Sequence, residues 1–327
     1  MIPDLLARVS ADRLRHDLFY LCRDPLPYRK VNYTRPGQAL DSLAETDAFL
    51  RRELEAAGYA PTATPCRVQA FRCDCTKPLH HWYARPEPSD PYYDAANIEA
   101  VRPGRTRPEE IVQLVAHKDS MSWIDSPGAH DNAAGTVSVL ELARVLACVR
   151  PRRTVRMLFC NEEHTPWTSR LAAEAAAARG DRIVAVLNVD SLDGKSDADM
   201  AAGVFTHAVG YSTEEGRELA EQVAACAARH GIGLDVRVFF KERVNDDDGM
   251  FIQAGYRRTV CNVGSWPYAD SEYHLPGDVP ERVNTENLAR STRLVLAAVL
   301  ELDADGAPGQ GAEEGGHERA IPGHQRV

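Results

Sequence analysis

Two adjacent glutamates, Glu162 and Glu163, stand in the segment FCNEEHTPW (159–167). They follow an apolar run at 155–159, which is typical of a buried strand. Two carboxylates side by side at the end of such a strand repel each other, and a bound cation would relieve that repulsion. If a cation binds here, other residues of the chain are expected to supply its remaining ligands.

Other polar side chains stand where strand-like segments end or where a helix begins. His117 and Asp119 end LVAHKDS, Asp131 lies in AHDNAAG, Asp190 ends LNVDS, and His274 lies in SEYHLPGD. Open α/β sheets place their sites at such strand ends. Each residue alone also fits a structural role, such as a packed histidine or a helix N-cap. Together with the two glutamates, they match the imidazole and carboxylate ligands that a pair of zinc ions needs, with one carboxylate bridging.

The elements that must position these residues alternate between helices and strands. Two helices come first: SADRLRHDLFYLCR, with Ser10 as its N-cap, and SLAETDAFLRRELEAAGY, closed by Gly58. In the second half, the strands TVRMLFCN, IVAVLNVD and DVRVFF alternate with helical segments, the last of them NTENLARSTRLVLAAVLEL. This alternation predicts an α/β fold of three layers, a mostly parallel mixed sheet covered by helices on both faces.

Length and charge limit the domain count and the partners. The chain has 327 residues, and residues 1–303 are predicted to form a single domain. Residues 304–327 are rich in Gly, Pro and charge, which predicts a disordered tail. Lys and Arg total 38 against 48 Asp and Glu, for a formal charge of -10, and the chain has no long basic run. This balance argues against nucleic acid as a partner.

The sequence also predicts a cellular location. The amino-terminal segment carries charges throughout, lacks the apolar core of a signal peptide, and no run of about eighteen apolar residues occurs. We therefore expect a cytoplasmic protein with no membrane partner, and a monomer by default. Cys73 and Cys75, followed by His80 and His81, admit a zinc cluster, but their spacing is not C-x2-4-C and favours a surface strand and loop.

Taken in order, the motifs resemble those of peptidase family M28, the zinc aminopeptidases to which glutaminyl cyclases are related. The matching segments are NIEAVRPG, VAHKDS, HDNAAGT, NEEHTPWTSR, LNVDS, DDDGMFIQAGY and EYHLPGDVPERVNTENL. The resemblance covers nearly the whole chain apart from the tail. It implies a zinc-exopeptidase-like fold and two zinc ions, although cobalt or manganese would suit the same ligands.

The resemblance implies a metal role for five residues. His117 and Asp190 would bind one ion, Glu163 and His274 would bind the other, and Asp131 would bridge both. It also implies a cis peptide between Asp131 and the next residue.

The resemblance implies chemical roles for three more residues. Glu162 would be the general base that takes a proton from a metal-bound water, and Tyr273 would be an oxyanion donor, unless it only packs. Asp119 would accept the second N–H of the His117 ring.

Several positions depart from the family pattern or carry a structural interpretation. The stretch 164–170, HTPWTSR, replaces a usual Gly-Leu-x-Gly, His130 replaces an acidic residue, and Asp248 replaces a common histidine. Asp247 is interpreted as a helix N-cap without a chemical task. Lys118 is expected on the face of its strand that points away from the site. These departures leave the substrate open, a small peptide or a biosynthetic amide.

The substrate pocket cannot be assigned from the sequence. Trp167 and Trp266 would line it or would belong to the core. A substrate with a free α-amine would need carboxylates to bind that amine. Glu242, Asp246 and Glu272 are candidates, and the sequence does not rank them.

Three functions fit these residues. The first is a dizinc aminopeptidase or related amide hydrolase. The second is a glutaminyl-cyclase-like acyl transferase with a single zinc, which the retained DNAAGT and the lack of an insertion before TSR disfavour. The third is a non-catalytic binding protein, which the presence of all five ligands disfavours. The related M20 enzymes insert a lid domain, for which the stretch 190–274 is too short.

Overall fold

Helices and strands alternate along the chain in the computed structural model, which describes residues 2–304. The helices are α1 (Ile2–Leu6), α2 (Ala11–Cys22), α3 (Ser42–Ala56), α4 (Gly135–Leu146), α5 (Thr168–Arg179), α6 (Asp197–Ala201), α7 (Glu214–Arg229), α8 (Asp246–Gln253) and α9 (Thr285–Ala304). The strands are β1 (Thr62–Ala70), β2 (Arg72–Cys73), β3 (Tyr83–Ala84), β4 (Tyr93–Arg102), β5 (Arg107–His117), β6 (Arg153–Cys160), β7 (His164–Thr165), β8 (Arg182–Val189), β9 (Thr206–Tyr211), β10 (Asp235–Phe240) and β11 (Thr259–Val263).

The main sheet has the strand order β10-β9-β11-β8-β5-β6-β4-β1-β7. Its centre, β11-β8-β5-β6, is parallel, while β9 pairs antiparallel with β11 and β4 pairs antiparallel with β6. Strands β2 and β3 form a separate two-stranded hairpin. The mixed sheet with a parallel centre confirms the predicted architecture.

Helices cover both faces of this sheet because its central strands are apolar on both sides. Leu114 and Ala116 of β5 pack into the larger core, which also contains the buried residues of α4 and α9. Val115, between them in sequence, packs on the opposite face with Ala173 of α5 and Phe251 of α8. Successive side chains of a strand point to opposite faces, so β5 alone serves both layers.

The parallel centre brings the ends of three strands to one edge of the sheet. Strands β5, β6 and β8 are neighbours and run parallel, ending at His117, Cys160 and Val189. The residues at and just after these ends therefore lie side by side, as open α/β sheets arrange their sites. The order and direction of these strands in the sheet therefore bring His117, the glutamate pair and Asp190 together.

Two predicted helix boundaries are confirmed and one prediction is wrong. Ser10 caps α2, its side chain accepting a hydrogen bond from a backbone N–H three residues on. Gly58 follows the end of α3 with φ 90°, a conformation that glycine adopts without steric cost. Asp247 is not an N-cap, because α8 begins one residue earlier and its N-cap is Asn245.

The predicted tail begins at the last residue of α9, which ends at Ala304. Residues 305–327 lie outside the described part of the chain, so their disorder stays a prediction, as does the single domain at 1–303. Across residues 2–304, no helix is both long enough and apolar enough to cross a bilayer.

Candidate metal centre

The structure brings the five predicted ligands together. His117 Nε2 lies 3.3 Å from Asp190 Oδ1, and His274 Nε2 lies 3.5 Å from Glu163 Oε1. Asp131 stands between the two pairs: its Oδ1 is 3.1 Å from His117 Nε2, and its Oδ2 is 3.1 Å from His274 Nε2. Each oxygen of Asp131 thus faces a different histidine, the arrangement of a carboxylate shared by two cations.

The donor set fits a pair of divalent cations. His117, Asp131, Glu163 and His274 are buried, and Asp190 is partly buried. Oδ2 of Asp131 makes no well-oriented hydrogen bond, although buried carboxylate oxygens are normally satisfied. Imidazole nitrogen and carboxylate oxygen are the ligands of zinc and of similar transition metals. A cation between these atoms would satisfy the unpaired oxygen and offset the clustered negative charge.

Asp119 holds one half of this cluster in place. Its Oδ1 lies 3.3 Å from His117 Nδ1 and accepts a 2.9 Å hydrogen bond from the backbone N–H of Glu162. Its Oδ2 accepts from the backbone N–H of Glu163 at 2.8 Å and lies 2.7 Å from His164 Nδ1. Burial alone would raise the pKa of Asp119, but the contacts with the two histidines outweigh it and lower the pKa below its usual range. Asp119 therefore orients a predicted ligand and the backbone of both glutamates.

Asp131 lies in an irregular turn of π-helical type, Ala129–Ala134, that leads into α4. The peptide between Asp131 and Asn132 is cis, which confirms that prediction. The Asn132 side chain donates to Val189 O at 2.9 Å and accepts from Ser191 N at 3.1 Å, so it ties this turn to the end of β8. Gly135 is required at the helix start, because a Cβ there would lie 2.2 Å from Val189 O.

The β2–β3 hairpin supports His274, a role that the sequence did not reveal. His274 Nδ1 lies 2.7 Å from His80 O, and His80 Nδ1 lies 2.5 Å from Tyr273 O. The ring of Tyr83 packs edge-on against that of His274. The paired histidines of CDCTKPLHH were the available signal, but nothing in their spacing indicated a contact almost 200 residues away.

The alternative zinc cluster at the hairpin does not form. Cys73 and Cys75 are exposed, with their sulfur atoms 3.5 Å apart, while His80 Nδ1 is engaged with a backbone carbonyl. Among residues 2–304, the side-chain groups close enough to hold a metal do not include these cysteines. The interpretation as a surface strand and loop is therefore the better one.

Glu162 lies beside the cluster with its carboxylate held from the other side. Ligand atoms of Glu162, His117 and Asp190 lie within 4.8 Å of one another. Oε2 of Glu162 accepts a 3.2 Å hydrogen bond from the backbone N–H of Asp247. Burial and the charges of Asp247 and Asp246 raise the pKa of Glu162 well above its usual range. The side chain of Asp247 itself accepts from the Cys160 thiol at 3.0 Å.

Burial and clustered charge shift the pKa values of the proposed ligands. Burial raises the pKa of Glu163 to about 7, in spite of its contact with His274. Burial alone would lower the pKa of His117, but its contacts with Asp119, Asp131 and Asp190 raise that pKa well above the usual value. Metal binding to these groups would release protons, because the ligands bind in their deprotonated forms.

Tyr273 lies at the junction of two cavities beside the cluster. Its ring stacks on that of His274 with a centroid distance of 3.8 Å. Burial raises the pKa of the Tyr273 hydroxyl well above its ordinary value, so the group remains an O–H donor at neutral pH. A predicted oxyanion donor needs this protonation state.

The two cavities differ in size and lining. The smaller, about 110 Å³, is lined by Glu162, Glu163, His274, Tyr273, Trp123 and Trp167. The larger, about 620 Å³, begins at Asp190 and Tyr273 and is mainly apolar, with Phe239, Phe240, Trp266 and Val263 in its wall. Both tryptophans that the sequence left unassigned therefore line a cavity.

The remaining candidates divide between the cavities and the core. Glu242 and Asp246 line the larger cavity, whereas Glu272 lines neither of these two. Asp248 is buried and paired with Lys241 at 2.7 Å. Lys118 Nζ lies 2.6 Å from Asn161 Oδ1 and 3.0 Å from Asp47 Oδ1, so its side chain points away from the site, as predicted.

Comparisons with known proteins agree with this centre. The family model of "Peptidase family M28" matches residues 97–299. A "Probable zinc metalloprotease" of Pyrenophora teres f. teres is 28% identical over 249 residues, which cover 63% of this chain and 51% of that protein. Aminopeptidase YwaD of Bacillus subtilis is 27% identical over 206 residues, covering 61% of this chain and 43% of that protein. The chain thus spans about half the length of the curated relatives it matches.

A solved structure shares the fold. The LapA aminopeptidase of Legionella pneumophila superposes with a TM-score of 0.70 at 16% identity, covering 93% of this chain and 75% of that one. At this identity the likeness concerns the architecture alone, and it agrees with the helix-covered mixed sheet.

Replacing Asp119 with Asn tests its hold on the cluster. An amide in its place cannot accept on both sides, so the His117 ring and the backbone of the two glutamates lose a common anchor. We expect Asp119→Asn to weaken zinc binding by about 10–100-fold, the usual effect of losing a partner that orients a ligand. Competition with a chromophoric chelator measures this. The matched control is Asp94→Asn on β4, whose side chain is 95% exposed; equal affinities in the two variants would contradict the role.

The stabilising effect of zinc should depend on pH. A carboxyl whose pKa is raised on folding, from 4.5 to about 7 for Glu163, stabilises the folded protein below 4.5 and loses that effect as pH rises through 7. Zinc cancels the resulting repulsion and binds deprotonated ligands, so it should raise the melting temperature more at pH about 8 than at about 5.5. At one fixed free zinc concentration, about 100 times the Kd at pH about 8, we expect a shift of roughly 5–10 °C at that pH and a smaller shift at pH about 5.5.

Melting curves in excess zinc and in chelator, recorded at both pH values, provide this measurement. Glu163→Gln removes one of the titrating carboxyls and should flatten the pH dependence. A zinc shift that is constant or that shrinks as pH rises would show that the carboxylate cluster does not control metal binding.

Proposed function

The chain belongs to peptidase family M28, and on this basis we propose that it is a dizinc aminopeptidase or a related amide hydrolase. The observation that carries the proposal is the placement of Asp131, whose two oxygens each lie 3.1 Å from the imidazole nitrogen of a different histidine. Two cations that share the carboxylate of Asp131 would account for this placement.

We assign His117 and Asp190 to one ion, Glu163 and His274 to the other, and Asp131 to both. The relatives named zinc metalloproteases support zinc as the metal. When bound, zinc lowers the pKa of a coordinated water towards neutrality and polarises a carbonyl group. Cobalt and manganese fit the same donor set, so metal identity is part of the proposal.

Glu162 is the proposed general base. Its carboxylate is close to His117 and Asp190, and the hydrogen bond from Asp247 N fixes its orientation. It would take a proton from the attacking water and donate that proton to the leaving nitrogen. Burial raises the pKa of Glu162, which makes its carboxylate a better proton acceptor than an exposed glutamate.

Tyr273 is the proposed donor to the carbonyl oxygen of the substrate. Its protonated hydroxyl lies in a side chain that stacks on His274 and lines both cavities. A hydrogen bond that strengthens as charge develops on that oxygen would stabilise the transition state.

The larger cavity is the proposed pocket for the residue that is released. It opens beside Asp190, and its wall contains Phe239, Phe240 and Trp266, so a bulky apolar side chain would fit it. Glu242 and Asp246 lie on the same wall and would meet a free α-amine. The substrate class is therefore a small peptide or amide with an apolar residue next to the scissile bond. The cytoplasmic location and the monomeric state inferred from the sequence stay predictions.

Glu162→Gln tests the proposed base. The amide cannot accept the proton, so hydrolysis of aminoacyl anilides and dipeptides should fall by about 10²–10⁴-fold. Both zinc ions should remain, as a metal count on the purified variant will determine. Glu174→Gln on α5, whose side chain is 54% exposed, is the matched control and should keep the wild-type rate.

Three results would change the assignment. A Glu162→Gln variant with full rate and full metal content refutes the base. Release of pyroglutamate from a Gln-initiated peptide, without free amino acid, would establish the cyclase-like transferase. A zinc-replete protein that is inert on anilides, dipeptides and acyl amides would favour the binding protein.

Trp266→Ala tests the large cavity. Trp266 stacks on Phe239 with a centroid distance of 3.9 Å and an interplanar angle of 6°. Removing its ring deprives an aromatic substrate side chain of one wall, so KM for a Phe anilide should rise by about 10-fold, equivalent to about 1.4 kcal/mol. KM for an Ala anilide should change little, which makes that substrate the internal control. Equal effects on both substrates would show that the cavity does not hold the substrate side chain.

A further inference from the structure

A second polar cluster lies behind the metal centre, around His130. The ring is completely buried, with Nδ1 at 2.9 Å from Asp270 Oδ2 and 3.2 Å from Asp278 Oδ1. On the opposite side, Nε2 lies 3.5 Å from Asp193 Oδ2. Asp270 and Asp278 belong to one segment and Asp193 to another, and all three carboxylates are themselves fully buried. His130 therefore stands where three segments meet.

The charges in this second cluster balance without a metal. Asp193 pairs with Lys195 at 2.8 Å, and Asp270 pairs with Arg282 at 2.9 Å. The His130 ring faces all three carboxylates and, when protonated, adds a third positive charge beside them. Cationic side chains of the protein thus lie against each carboxylate of the cluster. We therefore interpret the cluster as a network of ion pairs.

The partners of His130 hold the backbone around three of the proposed ligands. Asp278 accepts hydrogen bonds from the backbone N–H of His130 at 2.8 Å and of Asp131 at 3.1 Å. The segment 270–278, which has its two aspartates at its ends, contains His274 between them. Both aspartates face Nδ1 of the same ring, so the ring ties this segment to the turn that carries Asp131.

Asp193 connects the third segment. It lies three residues after Asp190, in the loop that follows β8, and its Oδ2 also accepts a 2.6 Å hydrogen bond from Asn284 N. Through Nε2, the His130 ring thus reaches the loop of a ligand assigned to the other ion. The remaining two ligands, His117 and Glu163, are held by Asp119 instead.

We propose that His130 is a positioning residue of the dizinc centre proposed for this chain, one that sets the spacing of the segments carrying Asp131, Asp190 and His274. It touches neither ion nor substrate. Its ring contacts the segments that carry three of the five ligands, in addition to the hydrogen bonds that Asn132 and Asp278 make between these segments. Losing its contacts lets the ligands of each ion separate and weakens metal binding.

Two substitutions separate the contacts of the ring. The amide nitrogen of Asn comes closest to the position of Nδ1, and that of Gln comes closest to the position of Nε2. His130→Asn therefore keeps a donor towards Asp270 and Asp278, whereas His130→Gln keeps a donor towards Asp193 only. We expect both variants to bind zinc more weakly by about 10–100-fold, with His130→Gln affected more strongly at the ion of His274.

Zinc affinities are measured on the full chain by competition with chelators of graded strength, which resolves two binding steps, and by melting temperature in chelator. His230→Asn is the matched control, because the His230 ring also pairs with a carboxylate. Its partner is Glu301 of α9, at 2.8 Å, which is not part of the cluster around His130. It should lose stability without losing zinc affinity. If the role of His130 is purely structural, the His130 variants should likewise lose stability and keep their zinc affinity.

Each outcome decides the proposal. Wild-type zinc affinities in folded His130→Asn and His130→Gln overturn it. If neither variant folds, Asp193→Asn weakens the Nε2 contact, together with the Lys195 pair of the same carboxylate, and an unchanged zinc affinity in that variant overturns the proposal equally. Three zinc ions per wild-type chain, one of them lost on His130 substitution, would make the second cluster a metal site and also refute positioning. A wild-type chain that binds no zinc refutes the dizinc centre, a failure recognisable before any variant is made.

Discussion

Negative charge crowded at one edge of the sheet is the constraint on which the rest of the site depends. Glu162, Glu163, Asp131 and Asp190 meet there because β5, β6 and β8 are parallel neighbours that end together. Burial raises the pKa of both glutamates, because their charged forms are disfavoured there. Clustered buried carboxylates are costly unless cations offset their charge. The proposed metal ions would supply that charge.

Two cations bind at defined positions only if their ligands cannot move apart. Two buried polar residues, Asp119 and His130, are proposed to hold the ligands in place. Asp119 fixes the His117 ring and the backbone of the glutamate pair, on the β5–β6 side of the centre. His130 is the proposed counterpart on the side of the loops. Asn132 joins the two sides, since its side chain bonds to the backbone at the end of β8. At the proposed centre, buried hydrogen bonds would thus hold the ligands in position.

The sequence predicted those parts of the structure that depend on local pattern. Buried strands, helix starts and the polar residues at strand ends follow from apolar periodicity and capping, and the architecture was correct for that reason. The assignment of Asp131 and its cis peptide came from the family resemblance rather than from any local pattern. The contact between His80 and Tyr273 O could not be predicted, because it involves a backbone carbonyl, which any residue type provides. His130 was recognised only as a departure, because its three partners are brought together by the fold.

The division between central and edge elements explains why the chemistry could be inferred while the substrate could not. Three of the five proposed ligands lie at or just after the ends of central strands, where sheet pairing and the core leave little freedom. The large cavity instead takes much of its wall from the edge strand β10 and the loop at 241–246, together with β11 and the residues after it. An edge strand is paired on one side only, so its side chains can vary without disturbing the sheet. The motifs thus indicate the proposed reaction, whereas the proposed choice of substrate depends on Phe239, Phe240 and Trp266, which belong to none of them.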